Sequence, residues 1–203
     1  MRLFTRLLGV LLALIGLVPL AVGGWFAAQL GSEGTARFAV DADGTRPVLI
    51  TPEVLNRTDL PVTITVSGGA DDGYIAVGTP SDTAAVLESA ARTEVLTVTL
   101  PDWVATTRDS GAGEPADLRE LDVWRDVAAL ADTTTLTVTQ QNAPESVLIV
   151  PGPGGFGEVE LSWTYGTWFW QAVVLAVAGA VLVVVGLLVA LPRRRRSARK
   201  EKS

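Results

Sequence analysis

The side chains that could do acid, base or electrostatic chemistry in this 203-residue chain are 22 carboxylates, 14 Arg and 2 Lys, with no His and no Cys. That inventory removes the imidazole base, the thiol nucleophile, the disulfide and the Cys/His zinc site together. Both lysines, Lys200 and Lys202, lie at the far end of the chain, so Ser-Lys chemistry has no base in the central region. A pair of carboxylates acting as acid and base on a glycoside remains available. Residues 31–167 hold 21 of the acidic residues, so formal pairs abound and no spacing singles one out. Asp41-Ala42-Asp43-Gly44 opens like a calcium loop, but its Gly comes two positions early and Pro52 stands where the closing Glu belongs. Pro151 to Gly157 is rich in Gly, yet it leads into a strand pattern and not into the helix N-terminus that a phosphate cradle needs. No catalytic residue, metal ligand or cofactor-binding residue is therefore assigned, and the expectation is a protein that is not an enzyme.

The elements that carry these groups are of two kinds. Leu7 to Leu30 and Trp168 to Leu191 are each 24 residues without a charge, and as helices each exceeds the ~30 Å hydrocarbon core of a bilayer. Trp25, Trp168 and Trp170 stand at one end of these runs, where interfacial aromatic anchors belong. The first run is also compatible with a cleaved signal peptide, with Arg2 and Arg6 as its basic start and Ala21-Val22-Gly23 as a small-residue site. Residues 1–6 carry +2, residues 192–203 carry +6, including Arg193, Arg194, Arg195 and Arg196, and residues 31–167 carry −14. The positive-inside rule then predicts both termini in the cytoplasm and the acidic middle outside, a multi-pass arrangement in the cell membrane. The short basic tail lies against the bilayer, which argues against nucleic-acid binding.

Within the two runs, Gly9, Gly16 and Gly23 are seven apart, as are Ala172, Gly179 and Gly186. Small residues at that spacing line one face of a helix and allow close left-handed packing, so the two seams are expected to face each other. Neither run contains an ionisable residue, so neither offers an ion or proton path.

Residues 31–167 read as a β-rich α+β domain. Alternation of apolar and polar residues marks strands at 62–66, 95–100, 136–138 and 159–165, and shorter β-type runs lie at 37–40, 48–50, 74–77 and 147–150. Ser81-Asp82 offers an N-cap for a helix over 83–91. A second helix is expected over Ala116 to Leu130, where Leu118, Leu121, Val127 and Leu130 share a side and Pro115 precedes the start. Trp103, Trp124 and Trp163 are expected in the core.

Several pieces carry a resemblance at the level of layout: the Arg-flanked first run ending near Gly31 to Phe38, Pro61 to Val66, Ser81-Asp82 before an Ala-rich helix, Asp122-Val123-Trp124, and the Trp-preceded second run with its basic end. In this the chain resembles uncharacterised two-span membrane proteins of actinobacteria with an extracytoplasmic domain. The resemblance implies two spans flanking an outer domain and carries over no activity and no site residue. Where that layout implies an Asp-Gly turn in the final β-region, this chain has Pro151 to Gly157.

The expected architecture is thus a membrane protein with a cytoplasmic segment 1–6, spans 7–30 and 168–191, an extracytoplasmic domain 31–167 and a basic tail 192–203. Its expected partners are the lipid bilayer and an envelope protein or glycan, with a homo-oligomer also possible. Two alternatives stay open: an envelope glycan hydrolase working with Asp and Glu alone, and a sensor or assembly subunit of a membrane complex.

Overall fold

The computed structural model describes residues 2–69, 72–113, 119, 121–139 and 143–191. Its elements in chain order are α1 (Arg2–Leu30), β1 (Thr35–Val40), β2 (Val48–Ile50), α2 (Pro52–Leu55), β3 (Val62–Ser67), β4 (Tyr74–Gly78), α3 (Pro80–Leu87), β5 (Arg92–Thr99), β6 (Val104–Ser110), β7 (Trp124–Ala129), β8 (Thr133–Val138), β9 (Ser146–Val150), β10 (Glu158–Thr164) and α4 (Gly166–Ala190). Two compact units result: the α1 and α4 pair, and a domain spanning Thr35–Tyr165.

Both long helices are long and apolar enough to cross a membrane by length and composition. They run antiparallel, since Gly9 lies against Gly186 and Ala190 while Gly23 lies against Ala172 and Ala176.

All ten strands of the domain belong to one sheet, in the order β7-β4-β9-β2-β5-β6-β1-β10-β3-β8. Laid flat, its outermost strands would be about 43 Å apart at the usual strand spacing. Yet β7 ends at Ala129 and β8 begins at Thr133, and four residue steps reach about 14 Å at most. The sheet therefore rolls round on itself and brings its two edges to the same side. Read from its two ends, the order is β7-β4-β9-β2-β5 and β8-β3-β10-β1-β6. Each odd strand and the even strand that follows it thus take corresponding places in the two halves.

The register shows what the roll encloses. In one half Val62, Trp163 and Ala36 share a row, followed by Ile64, Leu161 and Phe38, then Val66, Val159 and Val40. All nine are buried. In the other half Val48, Ile149 and Ile75 form one row and Ile50, Val147 and Val77 the next, again buried. Fully burying a side chain such as Ile64 or Leu161 stabilises by about 2 kcal/mol. On the opposite face of this second half, Leu148 packs against Leu87 and Ala90, with Leu49, Val86, Trp124 and Val150 around them. That cluster explains why β4 and β9 are apolar on both faces while β3 alternates: α3 covers one half only. The outward face of the first half is polar, with Thr63, Thr65 and Ser67 of β3 in register with Thr137, Thr135 and Thr133 of β8.

Four strand-to-strand crossings, β1 to β2, β3 to β4, β7 to β8 and β9 to β10, start and end at one end of the roll, as the strand directions require. Backbone bonds join them: Phe156 N–H donates to Gly44 C=O (3.1 Å), Gly157 N–H to Ser67 C=O (2.7 Å), Gly68 N–H to Asp132 C=O (2.8 Å) and Leu130 N–H to Gly73 C=O (2.8 Å). Gly44 is required there because a Cβ would overlap the Phe156 carbonyl oxygen. The chain enters and leaves the domain at the other end, where Thr35 and Thr164 pair and their hydroxyls lie 3.0 Å apart.

One expectation is corrected. The helix anticipated over Ala116 to Leu130 is absent in its second half, where Trp124–Ala129 is β7, paired antiparallel with β4. Residues 116–118 and 120 lie outside the described residues. The apolar spacing that suggested a helix is outweighed by backbone pairing to β4 and by Trp124 joining the Leu148 cluster. The other helix, α3, begins at Pro80, three residues ahead of the span anticipated for it, and is capped not by Ser81-Asp82 but by Thr79, whose hydroxyl accepts from Asp82 N–H at 3.2 Å. It ends at Leu87, and Arg92 already begins β5.

Candidate functional site

The residues singled out by spacing fall into a helix seam, a set of aromatic anchors and the basic tail. In α4 the buried residues are Ala172, Gly179 and Gly186, and in α1 Gly9, Gly16, Gly23 and Leu30 are buried one heptad apart. A Cβ on Gly9 would lie 2.6 Å from Ala190 N, one on Gly16 2.7 Å from Gly179 O, and one on Gly23 2.5 Å from Ala176 N. The seam is thus backbone against backbone, which only the absence of side chains permits. Large apolar residues point the other way: Leu3 is 80% exposed, Leu188 67% and Val174 65%.

Trp25 meets Phe26 edge to face at 4.9 Å, and Trp170 meets Phe169 at 5.5 Å. Trp168 is half-buried while Trp25 and Trp170 are exposed. Arg193, Arg194, Arg195 and Arg196 lie outside the described residues. Among the domain tryptophans, Trp163 is buried, Trp163 and Trp103 each meet the Phe38 ring, at 5.6 and 5.3 Å, and Trp124 is half-buried against the α3 cluster.

Sequence reasoning missed a half-open cavity in the domain, lined by both apolar and polar residues. It has a volume of about 350 Å³ and is lined by Val77, Gly78, Thr79, Arg125, Thr139 and the segment Ala143 to Glu145. A bulge between β4 and β7 builds it. Val77 pairs with Asp126 and Gly78 with Trp124, so Arg125 is the extra residue, freed from the ladder and re-aimed. Its guanidinium reaches Glu145, the residue just before β9, and donates to the carboxylate. Glu145 is buried while Arg125 stays 61% exposed, so the carboxylate orients a cation that solvent, or a polar ligand, can reach. A bulge depends on pairing between strands fifty residues apart, and no local pattern announces it.

A second ionic group lies on the β5-β6 hairpin. Glu94 is buried and accepts from Arg92 at 2.8 Å and Arg108 at 2.7 Å. Burial acts to raise its carboxyl pKa, but the bond from Arg108 and the charge of Arg92 outweigh it and hold the group below its ordinary value. Arg92 also donates to the carbonyls of Ala90 (3.1 Å) and Glu88 (3.4 Å), tying the end of the α3 connection to β5. Nearby, Asp109 accepts from Thr93 (2.8 Å) and Arg46 (3.1 Å). Asp43 accepts from the Thr45 backbone N–H (3.0 Å) and hydroxyl (2.8 Å), which lowers its pKa; this is a local turn in place of the calcium loop its spacing mimicked. Among the described residues no group of three or more Asp or Glu could hold a metal ion.

The chemistry on offer is hydrogen bonding from an oriented guanidinium and from the hydroxyls of Thr79 and Thr139, beside one buried carboxylate. No family model, no curated protein and no solved structure matches this chain.

Proposed function

We propose that the chain is an integral membrane protein with two spans, α1 and α4, both termini in the cytoplasm and residues 31–167 outside, where the domain binds another envelope component, protein or glycan. It acts by binding and not by catalysis. The observation that carries the spanning reading is the inverted burial of the helix pair. A soluble helical hairpin hides its large apolar side chains, whereas here Gly and Ala are inside and Leu, Val and Ile are outside. Such a pair is stable only where its outward surface meets a non-aqueous solvent. The net charges of +2, −14 and +6 along the chain support the orientation.

What supports binding is the cavity beside β7: a guanidinium held outward by a buried carboxylate suits polar recognition. Among the described lining residues the one carboxylate, Glu145, is engaged by Arg125, an arrangement that suits holding a cation more than acid-base work on a glycoside.

Reporter fusions at residue 100 and at each terminus test the orientation, with outside, inside and inside expected. A mature N-terminus near Gly24 would show cleavage of α1 and overturn the two-span arrangement. Photo-crosslinking probes at Thr79, Arg125 and Thr139 test binding in cells, and capture of no envelope protein or glycan by any of the three would count against the cavity.

A further inference from the structure

The rolled sheet has two edges, β7 and β8, and they are built differently. β7 carries devices with which an edge strand avoids pairing: the bulge at Arg125, and Asp126 beside Val77 on the interior side of the sheet. β8 reads Thr-Thr-Thr-Leu-Thr-Val, with no charge, Pro or Gly, and it pairs with β3 in unbroken register from Thr133 to Val138. Five of its six residues are β-branched, the composition that best suits an extended ladder. Thr133, Thr135 and Thr137 are exposed, and Thr134 and Leu136 are half-buried where their neighbours one strand inward, Val66 and Ile64, are fully buried. Among the described residues no strand pairs with the other side of β8, and alternate residues of that strand point N–H and C=O groups away from β3.

We infer that β8 pairs antiparallel with β8 of a second copy of this chain, across a two-fold axis near Thr135 and Leu136, joining two rolled sheets into one ladder. This rests on the binding reading above and names one partner for the domain. Three observations select a second copy. An antiparallel pair of identical strands sets like residues against like around the axis, which a charged strand would not tolerate, and β8 is uncharged throughout. A two-fold perpendicular to the sheet keeps outward residues outward, so threonines meet threonines, as they already do between β3 and β8, where Thr63 and Thr137 hydroxyls lie 3.4 Å apart. The strand ends are compatible as well: pairing brings exposed Asp132, just before β8, to the Thr139 end of the second copy, and Thr139 shares its cavity with Arg125, whose guanidinium stays 61% exposed while it is bonded to Glu145 and so can accept a second carboxylate. Symmetry makes that contact twice. A six-residue edge is only about 20 Å long, a small interface in dilute solution, so confinement of both copies in one membrane supplies the local concentration that holds it.

The absence of Cys makes the test direct. Full-length chains carrying Thr133→Cys, Thr135→Cys or Thr137→Cys, alone and in co-expressed pairs, are oxidised in native membranes with copper phenanthroline. Opposed residues of an antiparallel pair have Cα separations that a disulfide spans. The expected result is a product of twice the mass from Thr135→Cys alone, or from Thr135→Cys with Thr137→Cys, and none from Thr106→Cys, exposed on β6 four strands away. Co-precipitation of two differently tagged copies should fall about five-fold with Thr135→Lys, which sets two ammonium groups near the axis. Absence of any dimer product together with unchanged co-precipitation, or crosslinking only to a different protein, overturns the inference. Sedimentation of the same samples with membranes reports on the two-span reading separately.

Discussion

Gly16 of α1 and Gly179 of α4 face each other so closely that the Cβ each lacks would lie 2.7 Å from the other's carbonyl oxygen. The same reciprocity recurs one heptad away between Gly9 and Gly186, where a Cβ on either would again meet the other's carbonyl at 2.7 and 2.6 Å. Gly24, next to the seam residue Gly23, has open space where its Cβ would stand. Gly16→Leu and Gly179→Leu should therefore each destabilise the helix pair by about 1 to 3 kcal/mol, while Gly24→Leu leaves it unchanged. Thermal unfolding in a mild detergent, followed by far-UV circular dichroism, compares the three; equal behaviour would contradict backbone-to-backbone packing.

Glu94 gives a signed pH dependence. Its pKa in the folded domain is lowered below the ordinary 4.5, so folding favours the charged form. The resulting stability is fully present above the ordinary value and is lost as pH falls through the lower folded value. Glu94→Gln should cost about 2 kcal/mol at pH 7, and its difference from the parent should shrink as pH falls below 4.5. Denaturant unfolding at pH 7 and in that acid range decides this; a difference independent of pH would mean that Glu94 contributes by shape alone.

Arg125→Ala leaves the buried Glu145 carboxylate without its guanidinium, at a cost of about 1 to 2 kcal/mol, held down by the exposure of Arg125. Adding Glu145→Gln removes the stranded charge, so the double variant should be less destabilised than the sum of the two single ones. Unfolding free energies for the four proteins of that cycle measure the coupling, and simple additivity would show that the pair does not act as a unit.

Gly44→Ala should destabilise the domain by about 2 kcal/mol or more, because the new methyl overlaps the Phe156 carbonyl and must break the bond that Phe156 N–H makes to Gly44. Gly166→Ala, where the nearest atom is 3.8 Å away, should be close to neutral. Melting temperatures of the two variants provide the comparison.

Both long helices were legible in the sequence to within a few residues because a continuous apolar run needs no distant partner to be recognised. The seam was legible too, since heptad spacing of small residues is a one-dimensional pattern that a helix turns directly into a stripe. Eight of the ten strands could be read from alternation or from short β-type runs, as at Val62 to Val66 and Val159 to Tyr165. β6 was missed because Val104 to Ser110 shows little apolar alternation and is ordered by its hairpin with β5. β7 was misread because Val127 and Leu130 fit a helical period, and the preference is overridden by β4, fifty residues away in the chain.

By itself, the sequence determined which segments are apolar helices, eight of the ten strands and which chemistries lack their residues, because composition and periodicity are local properties. Only the tertiary structure decided that the ten described strands roll into one sheet, that a bulge turns Arg125 toward Glu145, and that β8 is an edge of that sheet. Each of these depends on which strand pairs with which, and the hydrogen-bonding groups of a peptide backbone are the same at every residue but proline. Partner choice is therefore settled by closing the whole core at once, not by any stretch of the chain alone.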